Sequence, residues 1–298
     1  GHASAMGSLA AKKPSAAGAV VVRGDADAID VLMVQHGHGN GWRLPVQSVG
    51  PDEFLASCAA RAGRTDAHLG IRLGTPIVTG PRPDGARPVA WWRARPIPGG
   101  ISSIGDGIDH LAWLPAEVAA GLVAGTEQEH VIRRGIALAD TVPILIVRHG
   151  KAMTRSDWSS RDQARPLTAR GRRQASALKP LLMAYGVARL ASSTSTRCVK
   201  TLVPYATAEQ LEVEGWAALS EEQAELNVKA VDKLMSRLIE QTLASGTPLA
   251  ICGHRPVLPT MLTALGMPAM QLKPGASVVA HLDLSGQTLA FEHHPPRL

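Results

Sequence analysis

The alternation of short apolar runs with helical patterns in the second half of the chain most strongly constrains the fold. Residues 144–147 are apolar throughout, as expected for a central parallel strand covered on both faces. Helical patterns follow at 168–185, 198–211, 226–244 and 257–265, and short runs lie between or after them at 189–192, 248–252 and 277–284. This order predicts an α/β domain on a covered, mainly parallel sheet.

The length of 298 residues is enough for two domains, each able to bury its own core. In the first half, apolar runs at 19–22 and 31–34 flank a Gly-Asp-Ala-Asp turn and predict a hairpin within a mixed α/β domain. The pattern changes at Thr141-Val142-Pro143. We therefore assign residues 1–18 to a tag remnant and disordered start, 19–139 to the first domain, 140–142 to a linker, and 143–298 to the second domain.

Composition excludes several classes of protein. The three cysteines, Cys58, Cys198 and Cys252, are widely separated, which excludes a disulfide scaffold or a cysteine zinc site and favours a reducing compartment. Apolar stretches are too short to span a bilayer. The net charge of +6 is spread along the chain, and only 3% of residues are aromatic. We therefore expect a cytoplasmic protein without a membrane or nucleic-acid partner; an oligomer remains open.

The chemistry of the second half begins with Arg148-His149-Gly150, directly after the predicted strand 144–147. Open α/β sheets bind ligands at the carboxyl ends of their strands. A neutral imidazole can attack phosphorus and carry the phosphoryl group, which divides one difficult displacement into two steps. Fixed cations are then needed around the phosphoryl oxygens.

Four motifs carry a resemblance to a known family. LIVRHGKA at 145–152, RPLTARGRRQA at 165–175, SSTSTRCVKT at 192–201 and ICGHRP at 251–256 resemble, in this order, the histidine phosphatase (phosphoglycerate mutase-like) superfamily, most closely its SixA-like branch. The resemblance implies a histidine-phosphatase α/β/α fold and a phosphatase that uses no metal or other cofactor.

The resemblance also assigns site residues. It makes His149 the nucleophile and Arg148, Arg197 and His254 the phosphate-binding groups. Glu221 is the candidate general acid, and Glu222, Glu212 and Glu214 are the alternatives in the same region of the chain. Arg165 is expected to be a structural ion-pair partner.

The first half resembles another family, the Nudix hydrolases, over residues 41–74. Their motif meets Glu53, Arg61 and Leu69 at the expected spacing, which implies an α/β/α sandwich with a mixed sheet. The motif's acidic residues bind Mg²⁺, a cation that prefers oxygen ligands. The sequence departs from the motif at the metal-binding positions. Ala62, Thr65 and Asp66 stand where the motif has Glu, and Gln47 and His68 stand where it has Gly. Glu53 and Asp66 remain as vestigial metal positions, so we expect a degenerate Nudix domain, with Mg²⁺ required only if it retains activity.

The two-domain order resembles actinobacterial, particularly mycobacterial, MutT-like proteins. We expect a metal-independent phosphohydrolase that forms a phosphohistidine and acts on nucleotides or other small phosphate compounds, with the Nudix-like domain as a binding or scaffold module. One alternative is a SixA-like protein phosphohistidine phosphatase. Another is a MutT-type hydrolase of oxidised guanine nucleotides or dinucleoside polyphosphates with residual Mg²⁺-dependent activity. The sequence leaves open the substrate, the general acid and the oligomeric state.

Overall fold

The computed structural model describes residues 12–37, 41–101 and 108–297. The chain divides between Ala139 and Asp140 into two compact units, called here the N-terminal and the C-terminal unit. Both units are mixed α/β structures, each with its own sheet. Within the described part of the chain, no helix has the length and apolar character needed to cross a membrane.

The N-terminal unit is built on a mixed sheet. Its elements are β1 (Ala16–Arg23), β2 (Asp30–His36), β3 (Trp42–Arg43), β4 (Val46–Ser48), α1 (Leu55–Ala67), β5 (Leu69–Ile77), β6 (Val89–Ile101), β7 (Ile108–Pro115), α2 (Ala116–Leu122) and α3 (Glu127–Ala137). The main strand order is β3-β2-β1-β6-β5, with β4 beside β1 and β7 beside β2. Strand β1 is parallel to β6 and antiparallel to β2, which confirms the predicted hairpin.

The ordered part of this unit begins earlier than predicted. Strand β1 begins at Ala16, where a disordered segment through residue 18 was predicted. Residues 16–18 pair with β4 on one side and β6 on the other. The small side chains here resemble a linker, yet they are required: a Cβ atom on Gly18 would lie 2.4 Å from the Pro45 carbonyl oxygen and 2.6 Å from the Trp91 ring.

The C-terminal unit alternates strands and helices. Its elements are β8 (Val142–Arg148), α4 (Ala169–Ala184), β9 (Arg189–Ser192), α5 (Thr196–Glu209), β10 (Val213–Gly215), α6 (Glu221–Leu226), α7 (Val228–Ser245), β11 (Leu249–Gly253), α8 (Leu258–Ala264), β12 (Ser277–Leu282) and β13 (Thr288–His294). The strand order is β10-β9-β11-β8-β12-β13. Strands β10, β9, β11 and β8 are mutually parallel, β12 is antiparallel to β8, and β13 is antiparallel to β12. The predicted mainly parallel sheet is therefore confirmed.

Burial explains why β8 lies inside this sheet. Residues Val142–Val147 are all buried, and because side chains alternate along a strand, both faces must be covered. Ile144 and Ile146 pack into one apolar cluster with Met235 of α7 and Met261 of α8. The predicted linker, residues 140–142, extends one residue too far, because Val142 already belongs to β8. The carboxyl ends of β8, β9 and β11 thus lie at one edge of a rigid sheet.

Candidate active site

Two histidines meet because two parallel strands end in register. Gly253 of β11 pairs with Arg148 of β8, so His254 and His149 are the next residues of adjacent strands. The His149 N–H donates to the Gly253 carbonyl at 3.2 Å. The two rings lie edge to face with centroids 5.4 Å apart. The predicted nucleophile and one predicted phosphate-binding residue are therefore side by side.

The His149 ring has a defined tautomer. Its Nδ1 lies 2.7 Å from the Gly150 carbonyl oxygen, which can only accept, so Nδ1 carries the hydrogen and Nε2 carries the lone pair. Burial, together with the charges of Arg197, Arg148 and Arg165, lowers the pKa of His149 to about 4, against the opposing effect of the Gly150 hydrogen bond. The ring is thus neutral at physiological pH, with a lone pair on Nε2.

His254 is fully buried and held by polar neighbours. Its Nε2 lies 2.8 Å from the Ser193 hydroxyl, and its Nδ1 lies 3.6 Å from Glu221 Oε1. Burial and the charge of Arg197 lower the pKa of His254 well below its usual range. A neutral His254 can donate one hydrogen bond to a bound oxyanion without the repulsion that a second cation would exert on its neighbours.

Two arginines near the histidines have buried N–H groups that lack a hydrogen-bond partner in the described part of the chain. Arg197 lies in the first turn of α5, just after β9, and is 1% exposed. Its two terminal nitrogens lie 3.0 and 3.2 Å from the carbonyl and carboxylate oxygens of Asp162. The Nε atoms of Arg197 and Arg148 are buried and have no hydrogen-bond partner among the described residues. Because unsatisfied buried donors are costly, these N–H groups are candidates to bind a ligand oxyanion.

Asp162 organises the arginines. Its carboxylate contacts Arg197 at 3.2 Å, Arg165 at 3.0 Å and Arg155 at 3.6 Å. Burial opposes ionisation, but the Arg165 hydrogen bond and the surrounding positive charges together lower the pKa of Asp162. Arg165 also donates to the Met153 carbonyl at 2.6 Å, as expected of a structural ion-pair partner.

Of the four candidate acids, Glu221 lies at this site. Its Oε1 is 3.6 Å from both Arg197 and His254 Nδ1, and its Oε2 is 2.6 Å from Arg155. Glu214 lies instead on β10, where Arg189 binds both of its carboxylate oxygens at 2.7 and 2.8 Å. Glu222 and Glu212 are solvent-exposed. Of the four glutamates, Glu221 is thus the one whose carboxylate contacts Arg197 and His254.

A close approach of two glycines shapes the loop after His149. A Cβ atom on Gly150 would lie 2.8 Å from the Gly171 carbonyl oxygen, and one on Gly171 would lie 2.1 Å from the Lys151 carbonyl oxygen. Both distances are too short for a side chain. The glycines of two separate motifs are therefore required by one contact, which packs the start of α4 against the histidine loop.

Sequence reasoning missed three contributors to this site. Arg155, 67% exposed, bridges Glu221 and Asp162, and Ser193 orients His254. Asp162 lies three residues before Arg165, but its contacts with three arginines were not predicted. For Arg155 there was no sequence signal, because a loop arginine is ordinary and its partners lie far along the chain.

The vestigial metal positions of the N-terminal unit do not form a metal site. Glu53 accepts two hydrogen bonds from Arg61 at 2.8 and 2.9 Å and one from the Gly50 N–H. Asp66, fully buried, accepts from the Val46 N–H and the Gln47 side chain. Across the described residues, no group of three or more His, Cys, Asp or Glu side chains is arranged to hold a metal ion. The residues present do not fit Mg²⁺ here.

The low pKa of His149 leads to a direct measurement. Side-chain ¹H–¹⁵N spectra recorded while the pH is lowered should show His149 neutral at about pH 6, whereas an unperturbed histidine is largely protonated by then. The Nδ1–H tautomer should persist until the pH approaches 4. Charging of His149 between about pH 6 and 7 would contradict the burial and cation argument.

Comparisons with known proteins give a family match and a relative. The profile of the histidine phosphatase superfamily (branch 1) matches residues 144–227. The 8-oxo-(d)GTP phosphatase of Mycolicibacterium smegmatis is 34% identical over 262 residues, which cover 83% of this chain and 79% of that protein.

Two solved structures show lower similarity. The protein histidine phosphatase SixA complexed with tungstate is 22% identical, with a TM-score of 0.41 over 52% of this chain and 96% of SixA. A C. elegans Ap4A hydrolase is 20% identical, with a TM-score of 0.35 over 42% of this chain and 94% of that enzyme.

The chain belongs to the same family as the mycobacterial 8-oxo-(d)GTP phosphatase, and its residues 144–227 belong to a domain of the histidine phosphatase superfamily. It is a hydrolase of the phosphatase class.

Proposed function

We propose that the C-terminal unit is a metal-independent phosphohydrolase in which His149 carries the phosphoryl group. The observation that supports this most directly is the neutral His149 ring, with its Nε2 lone pair available, beside two buried arginine N–H groups without partners. A phosphate dianion needs paired donors and positive charge, and guanidinium groups supply both. This arrangement of side chains supports phosphoryl transfer without a metal.

In the first step, His149 Nε2 attacks phosphorus and the bond from phosphorus to the leaving oxygen breaks. Glu221 gives a proton to that oxygen, so the leaving oxygen departs as a hydroxyl group. Arg148, Arg197 and His254 bind the phosphoryl oxygens as charge redistributes in the transition state. The product is a phosphohistidine with one positive charge on its ring.

In the second step, water attacks phosphorus from the side that the leaving group has vacated. The Glu221 carboxylate accepts one proton from this water, the phosphorus–nitrogen bond breaks, and neutral His149 is restored. Inorganic phosphate leaves, and Glu221 is protonated for the next cycle. One carboxyl group thus serves as acid and then as base.

Nucleotides are the substrate class that we propose, with the N-terminal unit as a degenerate Nudix domain that binds but does not hydrolyse them. The name of the mycobacterial relative supports a purine nucleotide. A cavity of about 380 Å³ in this unit is lined by Trp42, Trp91, Arg43 and Arg82, among others. Arg43 Nε and Trp91 Nε1 are buried without a partner among the described residues. Aromatic rings and arginines suit a base and a phosphate.

Metal independence is tested by phosphate release from nucleoside mono-, di- and triphosphates and from phenyl phosphate, with and without EDTA. We expect EDTA to change the rates by less than about twofold, because no step of the proposed chemistry requires a metal. A chelator-sensitive activity that survives His149→Ala would move the active site to the N-terminal unit and overturn the proposal.

Nucleotide binding by the N-terminal unit is tested on the full-length His149→Ala protein, which cannot turn ligand over. Titration calorimetry with 8-oxo-GTP in EDTA should show binding that weakens about tenfold or more in a further Arg43→Ala variant, because a charged hydrogen-bond donor is lost. Arg95→Ala, an arginine of the same unit outside the cavity lining, serves as the matched control. Equal weakening by both variants, or no binding at all, would contradict a nucleotide site here.

A further inference from the structure

Arg155 reaches the candidate active site from its exposed side. Its Nη2 donates to Glu221 Oε2 at 2.6 Å, and its Nε lies 3.6 Å from the Asp162 carboxylate. The Arg155 side chain is nevertheless 67% exposed, whereas that of Glu221 is 16% exposed. The phosphohistidine chemistry proposed above does not use this arginine.

The two carboxylate oxygens of Glu221 have different surroundings. Oε1 lies 3.6 Å from Arg197 and from His254, whose side chains are buried. Oε2 lies against the exposed guanidinium of Arg155. The groups that bind the transferred phosphoryl group are thus at the buried end of the site. The rest of a nucleotide must extend toward solvent, and Arg155 is the contact of Glu221 that lies there.

The leaving oxygen lies close to Arg155 because both are neighbours of Glu221. A general acid must be within hydrogen-bond reach of the leaving oxygen, and Arg155 is already hydrogen-bonded to the same carboxyl group. In a nucleoside di- or triphosphate, the leaving oxygen is bonded to a second phosphorus, which carries further anionic oxygens. In a simple monoester, the leaving oxygen is bonded to carbon. The polyphosphate therefore offers Arg155 an acceptor that the monoester lacks.

The guanidinium of Arg155 has donors available for such an acceptor. A guanidinium has five N–H groups, and that of Arg155 makes one hydrogen bond with the described residues, to Glu221. Guanidinium groups match phosphate oxygens with paired donors. Because most of the side chain is in solvent, its ion pairs are screened, and it can contact a phosphate without giving up a buried interaction.

The site also has more positive than negative charge. Its two carboxylates, those of Asp162 and Glu221, contact three arginines, which are Arg155, Arg165 and Arg197. Arg148 and the exposed Arg255 form no ion pair within the described part of the chain. Burial and the charge of Arg255 lower the pKa of Arg148, against the opposing charge of Glu221. A second phosphate group would compensate positive charge that a monoester leaves unpaired.

We propose that Arg155 binds the phosphate next to the one that is transferred, and so selects nucleoside di- and triphosphates over simple phosphate monoesters. The proposal rests on the proposed function and names the part of the substrate that Arg155 recognises. His149 Nε2 takes the terminal phosphoryl group, the bond from its phosphorus to the bridging oxygen breaks, and Glu221 gives a proton to that oxygen. Arg155 holds the phosphate that becomes the new end of the shortened nucleotide.

The first test removes the guanidinium and compares two substrates. Arg155→Ala should lower kcat/KM for GDP relative to kcat/KM for phenyl phosphate by about tenfold to a hundredfold, the scale of one hydrogen bond to a charged group. Initial rates of phosphate release give both values. Because phenyl phosphate has no second phosphate, its own kcat/KM should change by no more than about threefold. An equal fall for both substrates would show that Arg155 only supports Glu221, and would overturn the proposal.

Arg161→Ala is the matched control, because Arg161 is an exposed arginine between β8 and α4 whose side chain donates to Gln163. Its substrate ratio should stay within about twofold of wild type. Arg155→Lys keeps the charge without the paired donors, so its ratio should lie between those of Arg155→Ala and wild type. A ratio that fell equally in Arg161→Ala would reflect only the general positive field, and the assignment to Arg155 would be wrong.

Pyrophosphate and inorganic phosphate give the same comparison without turnover. Titration calorimetry on the full-length His149→Ala protein in EDTA should show that pyrophosphate binds about tenfold or more tightly than phosphate. Addition of Arg155→Ala should remove most of this difference, and addition of Arg161→Ala should not. A preference for pyrophosphate that survived the loss of Arg155 would exclude this arginine as its source.

Failure of this inference is distinguishable from failure of the proposed function. If His149→Ala abolishes phosphate release from both GDP and phenyl phosphate while Arg155→Ala leaves their ratio unchanged, the phosphohistidine chemistry stands and the role of Arg155 does not. The same holds if the wild-type protein hydrolyses phenyl phosphate but not GDP. If His149→Ala retains activity, the proposed function itself is wrong.

Discussion

The His149→Ala protein should release phosphate from every substrate at least about 10⁴-fold more slowly than wild type, because removal of a catalytic nucleophile eliminates the covalent route. The loss should appear in kcat, since the remaining arginines can still bind the phosphate group. Wild-type protein quenched during turnover of a radiolabelled substrate should carry a label that is labile in acid and stable in base, as expected of a phosphoramidate. His149→Ala should carry none.

His293→Ala is the matched control, because His293 is an exposed histidine on β13. Its rate and its label should equal those of wild type. Thermal unfolding of both variants checks that the fold is intact. A labelled His149→Ala protein, or one that turns over at a rate near that of wild type, would exclude His149 as the phosphoryl carrier.

Arg197→Ala should lower kcat/KM by about 10²- to 10³-fold, the usual cost of removing one preorganised oxyanion donor. The guanidinium is buried, and its Nε has no partner among the described residues, so it is positioned to contact a phosphoryl oxygen. Arg197→Lys restores the charge without the planar pair of donors. We therefore expect its activity to lie between those of Arg197→Ala and wild type.

Arg189→Ala is the control, because it also removes an ion-paired arginine from the C-terminal unit. Arg189 lies at the start of β9 and pairs with Glu214, at the end of the strand opposite to the site. Its kcat/KM should change by no more than a few-fold. If Arg189→Ala and Arg197→Ala reduced activity equally, the effect of Arg197 would be structural rather than electrostatic.

Much of the C-terminal fold was predictable because its signals are local. The uninterrupted apolar run of β8 and the apolar spacing of α4 and α5 follow from burial on both faces of a sheet and from helical periodicity. Strand β13 was not among the predicted strands, since its side chains alternate between partly buried and exposed and it has no uninterrupted buried run. In the N-terminal unit, the small residues before Ala19 concealed the start of β1, because close packing against Trp91 requires small side chains there.

The roles of the two vestigial metal positions depend on their hydrogen-bond partners in the folded chain. Glu53 and Asp66 remain acidic, yet Arg61 and Gly50 bind the first while Val46 and Gln47 bind the second. A motif comparison shows that ligands are missing. It does not show that the surviving carboxylates have become structural, because that depends on which donors the folded chain brings to them.

The sequence alone established that His149 follows a buried strand and that Arg148, Arg197 and His254 accompany it in three of four ordered motifs. The sequence left four glutamates as candidates for the carboxylate of this site. The tertiary structure selected Glu221, because α6 places it against Arg197 and His254, whereas β10 commits Glu214 to Arg189. Strand patterns and motifs are encoded by neighbouring residues, but the contacts of Arg155 and Asp162 with this site join loops and helices far apart in the chain. Such contacts are decided only when packing of the sheet and its helices brings those segments together.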